Sequence, residues 1–284
     1  MSEGFCGVYE EPPVTAILLA ESSTMMRFII SIVLALLIIF IFGAVRVLAI
    51  LPVRRPTHIT EITQSSRIVE ITTPAKSHVL FILGSGGHTA EMFNMIQNLS
   101  PETVTHRTYV FSSGDKHSAQ RAESFEATSY GNLVAVASRE RKERPGSIGY
   151  RLVEIPRARA VKQSLLTSPF TCLLCLIRCL GVVRGEDMRS FPKQMRELWR
   201  GMEFPDVVVC NGPATAVILV FAIYIYKFFG MCNTRVIYIE SFARVTTLSL
   251  SGKLLLPLAD RFLVQWPQLA EKYHGAEHRG FLVS

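Results

Sequence analysis

Apolar and polar residues divide the chain into an apolar N-terminal segment and a longer region in which short apolar runs alternate with amphipathic stretches. Residues 28–45 form an apolar run without a charged side chain, and apolar residues continue to position 51 past Arg46. A helix needs about 20 predominantly apolar residues to cross a bilayer, so this run predicts a transmembrane anchor over residues 25–51. A cleaved signal peptide is disfavoured, because its apolar part is shorter and follows a basic start.

The charges on either side of this anchor predict its orientation. Residues 1–24 carry four acidic side chains, and Arg27 is the first basic residue of the chain, whereas Arg46, Arg54 and Arg55 lie towards or beyond the other end of the anchor. Basic flanks are retained in the cytosol. We therefore expect a single-pass protein with a short lumenal N-terminus and a cytosolic C-terminal region.

The rest of the chain predicts a linker and one folded domain. Residues 52–75 mix Pro, Thr, Ser and isolated Ile without a period, which indicates a juxtamembrane linker. Residues 76–284 have room for one domain of ordinary size. Their β-branched runs resemble parallel strands buried on both faces, which predicts an α/β, Rossmann-like domain with a single parallel sheet. The runs are HVLFIL (78–83), HRTYVF (106–111), LVAVA (133–137), DVVVC (206–210), RVIYIE (235–240) and RFLVQ (261–265).

Two further apolar segments are too short to predict a second membrane span. In residues 170–183, Cys172, Cys175 and Cys179 are spaced to share one helix face. Free cysteines usually pack as small apolar residues, and a zinc site would need a further ligand nearby. Because basic residues precede this segment, we expect a helix at the membrane interface. Residues 215–229 directly follow a predicted strand and predict a core helix of the domain.

Composition and charge narrow the classes of partner. With 49% hydrophobic and 19% charged residues, the chain is too apolar for a disordered protein. Its net charge of +7 suits anionic lipids, phosphorylated substrates or nucleic acid. No nucleic-acid-binding motif accompanies this charge, so we expect no nucleic-acid partner.

A glycine-rich turn between a strand and a helix is the strongest local signal for chemistry. Backbone N–H groups of glycines and the N-terminus of a helix together bind phosphate or diphosphate groups. A loop that uses its glycines only to turn the chain is the alternative. The position of Thr89 breaks the dinucleotide fingerprint, and no Walker lysine follows, so we expect no nucleotide cofactor, and no metal site is predicted. The candidate diphosphate-binding residues of this loop are Gly84, Ser85, Gly86, Gly87 and Thr89.

The other candidate residues lie where predicted strands end, the edge at which open α/β sheets place their sites. His88 is a candidate general base, with a helix cap or a core hydrogen-bond donor as the alternative. Asn211 and Gly212 follow one strand, and Glu240 and Arg244 follow the next. Glu240 is a candidate proton or hydroxyl acceptor and Arg244 a candidate phosphate ligand, unless the two form a structural ion pair with each other.

Six motifs in order give the chain a resemblance to a known family. It resembles the membrane-anchoring subunit of the two-subunit UDP-N-acetylglucosamine transferase that adds the second sugar to dolichyl-diphosphate N-acetylglucosamine, and more distantly the bacterial lipid-linked transferase MurG. The resemblance covers nearly all of residues 76–284. The motifs are LGSGGHTAEM (83–92), YVFSSGDKHS (109–118), IPRARAVKQS (155–164), PDVVVCNGPAT (205–215), IYIESFARV (237–245) and LADRFLVQWP (258–267).

This resemblance implies a GT-B glycosyltransferase divided between two chains. This chain would be the acceptor-binding half, inactive alone, and a soluble catalytic subunit would bind UDP-N-acetylglucosamine in a heterodimer at the endoplasmic reticulum membrane or the nuclear envelope. The acceptor would be dolichyl-diphosphate N-acetylglucosamine. Ala214 stands where the family motif leads us to expect another glycine, which is a departure from the family's pattern.

The resemblance also implies roles for individual residues. The glycine-rich loop, with Asn211, Gly212 and Arg244, would hold the acceptor diphosphate, and His88 or Glu240 would be the base. The tail formed by Phe281, Leu282 and Val283 would bind the partner subunit. Two rival classes are a recruiter without a role in the chemistry and a membrane-bound α/β oxidoreductase, the latter disfavoured by the broken dinucleotide fingerprint.

Overall fold

The computed structural model of the protein describes residues 14–52, 77–99, 104–139, 149–159, 163–164, 166–187 and 193–282. Internal contacts divide the chain into two units, Met1–Ile50 and Leu51–Ser284. Most of the predicted linker, and the first part of the predicted lumenal segment, lie outside the described residues. The predicted domain limits therefore stay predictions.

The first unit contains one long helix, α1 (Val14–Ile50). Its part Met25–Ile50 has a mean hydropathy of 3.2 and is not buried within the protein. Among the described residues, this is the only helix long and apolar enough to cross a membrane. The predicted anchor therefore coincides with a continuous apolar helix.

The second unit is built on one seven-stranded parallel sheet with the order β3-β2-β1-β4-β5-β6-β7. The predicted fold class, an α/β domain with a parallel sheet preceded by one apolar helix, is confirmed. The strands are β1 (His78–Ile82), β2 (His106–Ser112), β3 (Gly149–Ile155), β4 (Val207–Asn211), β5 (Arg235–Ile239), β6 (Arg261–Val264) and β7 (Ala276–His278). The helices are α2 (Gly87–Ile96), α3 (Lys116–Arg139), α4 (Ser168–Val183), α5 (Lys193–Leu198), α6 (Ala214–Phe228), α7 (Leu250–Leu255) and α8 (Pro267–Lys272).

One strand prediction is wrong. Residues 133–137 (LVAVA) do not form a strand but continue α3 to Arg139. A short apolar run fits a helix as well as a strand, and no proline interrupts the helix before it. The strand that follows β2 is the edge strand β3, whose sequence GYRLVEI includes the exposed Glu154 and the buried Arg151, which pairs with Asp187.

The two short apolar segments both form helices of the domain. α6 buries Leu219, Val220 and Ile223, among others, which confirms the predicted core helix. α4 packs against α6 and buries Cys175 and Cys179, which therefore serve as small apolar residues. Its opposite face is exposed and apolar, with Phe170, Leu173, Leu174 and Ile177. The placement of this face at a membrane interface stays a prediction.

The strand order creates a crevice at the centre of the sheet. From β1 the chain runs outward to β2 and β3, then returns to β4 beside β1 and runs the other way to β7. Right-handed crossovers place α2 and α3 on one face of the sheet and α6 and α7 on the other. The helices therefore diverge at the carboxyl ends of β1 and β4, the position at which open α/β sheets bind ligands.

The opposite end of the sheet holds a buried polar cluster. The hydroxyl of Thr108 accepts a hydrogen bond from Arg151 Nε at 2.8 Å and lies 2.8 Å from Nε2 of His78, to which it can donate. The rings of His78 and His106 both meet Trp199 edge to face, with centroids 5.0 and 4.9 Å away. Burial, followed by the charge of Arg151 and the neighbouring His106, lowers the pKa of His78 to about 3. His78 is therefore a neutral core residue.

Candidate functional site

The glycine-rich loop crosses from β1 to α2 at the central crevice. Gly86 precedes the helix with a φ of 63°, a left-handed conformation that favours glycine, and no side chain caps the helix there. Thr89 lies inside the first turn, where its hydroxyl donates to the carbonyl of Gly84 and lies 2.6 Å from the hydroxyl of Ser118. Thr89 thus fastens the loop to the start of α3, while the loop amides remain available to a ligand.

An open cavity of about 550 Å³ lies on the α3 side of this loop. Asp115 caps α3 by accepting hydrogen bonds from the backbone N–H and the hydroxyl of Ser118 at 3.1 and 2.7 Å. His117 and Arg121 are exposed one turn apart on α3, so two helix N-termini and two basic side chains face the same space. The cavity therefore suits an anion. Its lining consists of Ser85, Gly86, Gly87, Thr89, Ala90, Asp115, His117, Ser118 and Arg121.

Sequence reasoning missed His117 and Arg121. Both residues follow the predicted strand HRTYVF, and they are about one helical turn apart from each other. This spacing was the signal available in the sequence. Their proximity to the glycine-rich loop depends on β1 and β2 being neighbours in the sheet.

His88 lies on the other side of the loop, against two glycines. A Cβ added at Gly84 would come within 2.6 Å of the Cβ of His88, and one added at Gly212 would come within 2.7 Å of its Nδ1. Gly212 also has a φ of 71°. The imidazole therefore occupies space that only glycine leaves free, and about a third of its side chain remains exposed. The imidazole of His88 is therefore partly exposed at the crevice.

Glu91 joins His88 to the ends of β4 and β5. Its Oε2 accepts a hydrogen bond from Asn211 Nδ2 at 3.1 Å, and its Oε1 accepts one from the hydroxyl of Ser241 at 3.0 Å. Asn211 Nδ2 also donates to the backbone carbonyl of His88 at 3.2 Å. Asn211, a candidate diphosphate-binding residue, is completely buried. Its two hydrogen bonds position Glu91 and the backbone of His88.

The structure places the candidate base Glu240 under a loop. Its carboxylate is buried and accepts hydrogen bonds from the backbone N–H groups of Ser241 and Ser249 at 3.2 and 3.0 Å. The hydroxyl of Ser249 donates to the same carboxylate at 3.1 Å. Burial, and next the charge of Glu240, raise the pKa of Tyr238, whose hydroxyl lies 3.5 Å from this carboxylate. Glu240 thus anchors the loop between β5 and α7.

Arg244 lies in that same loop and is exposed. No ion pair joins it to Glu240, so the alternative of a structural pair between the two is not observed. Across the described part of the chain, no group of three or more His, Cys, Asp and Glu side chains is arranged to hold a metal ion.

The C-terminal tail ends in an aromatic cluster beside the same loop. Phe281 meets Trp266 and Phe242 with centroid distances of 5.3 and 5.7 Å, and it remains 58% exposed. The backbone N–H of Leu282 donates to the side chain of Gln265 at 2.9 Å. The predicted partner-binding residue Val283 lies outside the described residues. The tail thus presents an aromatic surface to solvent.

The fold and the crevice define a Rossmann-like α/β domain with a glycine-rich loop at the centre of its sheet, and comparisons with known proteins identify its family. The model of the family described as "Oligosaccharide biosynthesis protein Alg14 like" matches residues 79–282. The chain belongs to this family, which confirms the predicted resemblance.

Curated relatives agree along most of their length. The chain is 40% identical over 210 residues to the UDP-N-acetylglucosamine transferase subunit alg14 of Schizosaccharomyces pombe, covering 74% of this chain and 85% of the relative. It is 36% identical over 212 residues to the corresponding subunit of Mus musculus, covering 74% and 86%.

Solved structures are less similar. The MurG of Acinetobacter baumannii aligns with 13% identity and a TM-score of 0.36, covering 67% of this chain and 41% of that one. The chain thus spans less than half the length of MurG. This likeness is too weak to assign the chain to a family, so the family assignment rests on the sequence matches.

Proposed function

We propose that this chain is the membrane-anchoring, acceptor-binding subunit of a UDP-N-acetylglucosamine transferase that adds a second N-acetylglucosamine to N-acetylglucosaminyl-diphosphodolichol. Its membership of the Alg14-like family supports the class of reaction. The observation that supports the acceptor role is the central crevice, where an open cavity with basic side chains and a partly exposed histidine flank one glycine-rich loop. An acceptor with a diphosphate and a nearby sugar hydroxyl needs both features.

The proposed chemistry is an inverting displacement. The imidazole of His88 takes the proton from the acceptor hydroxyl, the oxygen attacks the anomeric carbon of the donor sugar, and the bond from that carbon to the diphosphate breaks with its electron pair leaving on UDP. A positioned base of this kind typically contributes about 10²- to 10⁴-fold to the rate. The donor sugar is bound by a soluble partner subunit, and catalysis takes place across the interface of the two chains.

The test of this function is an assay of N-acetylglucosamine transfer from its UDP derivative to a polyprenyl-diphosphate acceptor. We expect no turnover by this chain alone and turnover after addition of the soluble subunit. In the complex, His88→Ala is expected to lower kcat by about 100-fold or more. Turnover by the isolated chain contradicts the division between two chains, and near-wild-type activity of His88→Ala contradicts the role of His88 as base.

Glu240 provides a second variant for this assay. We expect Glu240→Gln to lower thermal stability, because a buried carboxylate that accepts several hydrogen bonds is replaced by a group that accepts at only one oxygen. Its effect on kcat is expected to be smaller than that of His88→Ala. If Glu240→Gln lowers kcat more than His88→Ala does, at equal amounts of folded protein, Glu240 is the base.

The cavity beside α3 supports binding of the acceptor diphosphate on that side of the loop. Arg121 faces this cavity, so we expect Arg121→Ala to raise the KM for the acceptor about tenfold, equivalent to about 1.4 kcal/mol, with kcat nearly unchanged. Arg235→Ala is the matched control, because it removes the same charge at the start of β5, at the end of the sheet opposite the cavity. Equal effects of the two substitutions on KM contradict a local phosphate contact. Arg244, exposed in the loop after β5, is proposed to assist from the other side of the crevice.

The exposed aromatic tail supports binding of the partner subunit. We expect Phe281→Ala to weaken co-purification of the soluble subunit at least about tenfold, because exposed aromatic anchors dominate many protein interfaces. Deletion of residues 281–284 is expected to have at least the same effect. Phe229→Ala, which removes a similarly exposed aromatic ring from the end of α6, is the control. Full recovery of the partner with both tail variants contradicts the role.

The proposed localisation is a single-pass orientation in the endoplasmic reticulum membrane. Residues 25–51 are the anchor, residues 1–24 are lumenal, residues 52–75 are a linker, and residues 76–284 are the cytosolic acceptor half. The apolar, exposed helix over Met25–Ile50 supports the anchor, and the basic residues beyond it support the orientation. The exposed apolar face of α4, flanked by the exposed Arg178 and Arg184, suits contact with an anionic bilayer surface.

A further inference from the structure

Glu91 is a carboxylate of the crevice that the proposed reaction leaves without a role. It lies one helical turn after His88 on α2. Its Oε2 is 3.6 Å from Nδ1 of His88, and within the described part of the chain this imidazole is the only basic group at ion-pair distance from Glu91. The side chain of Glu91 is 17% exposed, so solvent reaches this carboxylate only partly.

Hydrogen bonds fix the carboxylate from two sides. Asn211 donates to one oxygen and Ser241 donates to the other, and both donor residues are buried. Because Asn211 also donates to the carbonyl of His88, one amide group sets the distance between the backbone of His88 and the carboxylate of Glu91. Glu91 is therefore held in place by strands on the far side of the crevice from its own helix.

The arrangement requires an acceptor with two oxygens. Asn211, Ser241 and the Nδ1 side of His88 all approach Glu91 as potential donors. A carboxylate accepts at both oxygens, whereas a glutamine accepts at one and presents donors at the other end. Nδ1 of His88 is itself buried and makes no hydrogen bond in this conformation. A separation of 3.6 Å is too long for a hydrogen bond. Catalytic hydrogen bonds that are long in the free protein commonly shorten to ordinary hydrogen-bond distances when substrate binds.

We propose that Glu91 is the positioning residue for His88 in the transfer reaction, which rests on the proposed function. With a proton on Nδ1 directed at Glu91, Nε2 of His88 keeps its lone pair and receives the proton of the acceptor hydroxyl. The imidazolium that forms then lies beside a carboxylate, which stabilises its charge. The glycines at positions 84 and 212 hold the ring against lateral movement, and Glu91 sets its tautomer.

A double-mutant cycle in the reconstituted complex tests this role. We expect Glu91→Gln to lower kcat by about 10- to 100-fold, the loss seen when carboxylates that orient metal-binding histidines are removed, with the acceptor KM changed less than about threefold. In a His88→Ala background, Glu91→Gln should change kcat by less than about threefold, because its effect passes through His88. Glu271→Gln, the same exchange on the exposed surface of α8, is the control.

An equal loss of kcat from Glu91→Gln in both backgrounds overturns the proposal, because it indicates an effect on the fold. A change in the acceptor KM alone also overturns it. An inactive wild-type complex instead counts against the proposed function, and a second measurement then decides the role of Glu91.

That measurement is ¹⁵N NMR of histidine-labelled full-length protein in lipid nanodiscs at mildly alkaline pH, with the His88 signal identified by its loss in His88→Ala. We expect the proton of His88 on Nδ1 in the wild type and a shift towards Nε2 in Glu91→Gln. A wild-type His88 with its proton on Nε2, or a tautomer unchanged by the substitution, overturns the proposal whether or not the complex is active.

Discussion

A Gly212→Ala variant of the transferase complex is expected to lose about 100-fold or more in kcat. The added methyl group would overlap the imidazole of His88, and the φ of 71° at this position is unfavourable for alanine by about 1–2 kcal/mol. The ring must therefore leave the position in which it faces both Glu91 and the crevice. The measurement is the steady-state kcat of the complex at matched amounts of folded protein.

Gly201→Ala separates the two causes in this experiment. Gly201 has a φ of 79°, and a Cβ there would meet no atom within 4 Å, so the variant carries the backbone strain without the overlap. We expect Gly201→Ala to lower thermal stability by about the same backbone strain of 1–2 kcal/mol. We also expect its kcat to stay within about threefold of the wild type. Comparable kcat values for the two alanine variants contradict a steric requirement for glycine beside the imidazole of His88.

Acid is expected to destabilise the α/β domain through His78. Its pKa of about 3 in the folded protein lies below the ordinary value of 6.5, so between these pH values the unfolded chain binds a proton that the folded chain does not. The free energy of unfolding therefore falls as pH falls through this window, by up to about 5 kcal/mol in total and by about 2 kcal/mol between pH 6.5 and 5. Denaturant titrations of the detergent-solubilised protein at these two pH values measure the change.

A His78→Gln variant is expected to lose most of this pH dependence, because glutamine does not titrate and can still bond to Thr108. The variant is less stable at neutral pH, but the readout is the difference between the two pH values, which does not depend on the starting stability. His274→Gln, which replaces an exposed histidine, should keep the wild-type difference. An unchanged difference in His78→Gln assigns the acid sensitivity to another group.

The central strands were predictable because burial on both faces makes their sequences continuously apolar, as in β1 and β4. β3 escaped prediction because Arg151 and Glu154 interrupt its apolar run, and the pairing of the buried Arg151 with Asp187 is not visible in local sequence. LVAVA misled because five apolar residues carry no period of their own. Burial by a distant segment is likewise absent from local sequence. For this reason the sequence predicts Glu240 as a candidate base, whereas the structure buries it under the loop between β5 and α7.

The site was predictable where its chemistry is local. The glycine-rich loop and His88 are contiguous in the chain, so the pattern of a strand followed by glycines was sufficient to find them. Glu91 and Ser241 meet only because β1, β4 and β5 are neighbours, a fact about topology that no local pattern contains. The spacing of His88 and Glu91 on one helix was the only signal available for the latter.

The four residues between β1 and α2 separate the open cavity on the α3 side from His88. In the proposed reaction, the phosphate ligand Arg121 and the base His88 therefore lie on opposite sides of this loop. We therefore expect substitutions on the cavity-lining face of α3 to change the KM for the proposed acceptor while kcat stays constant.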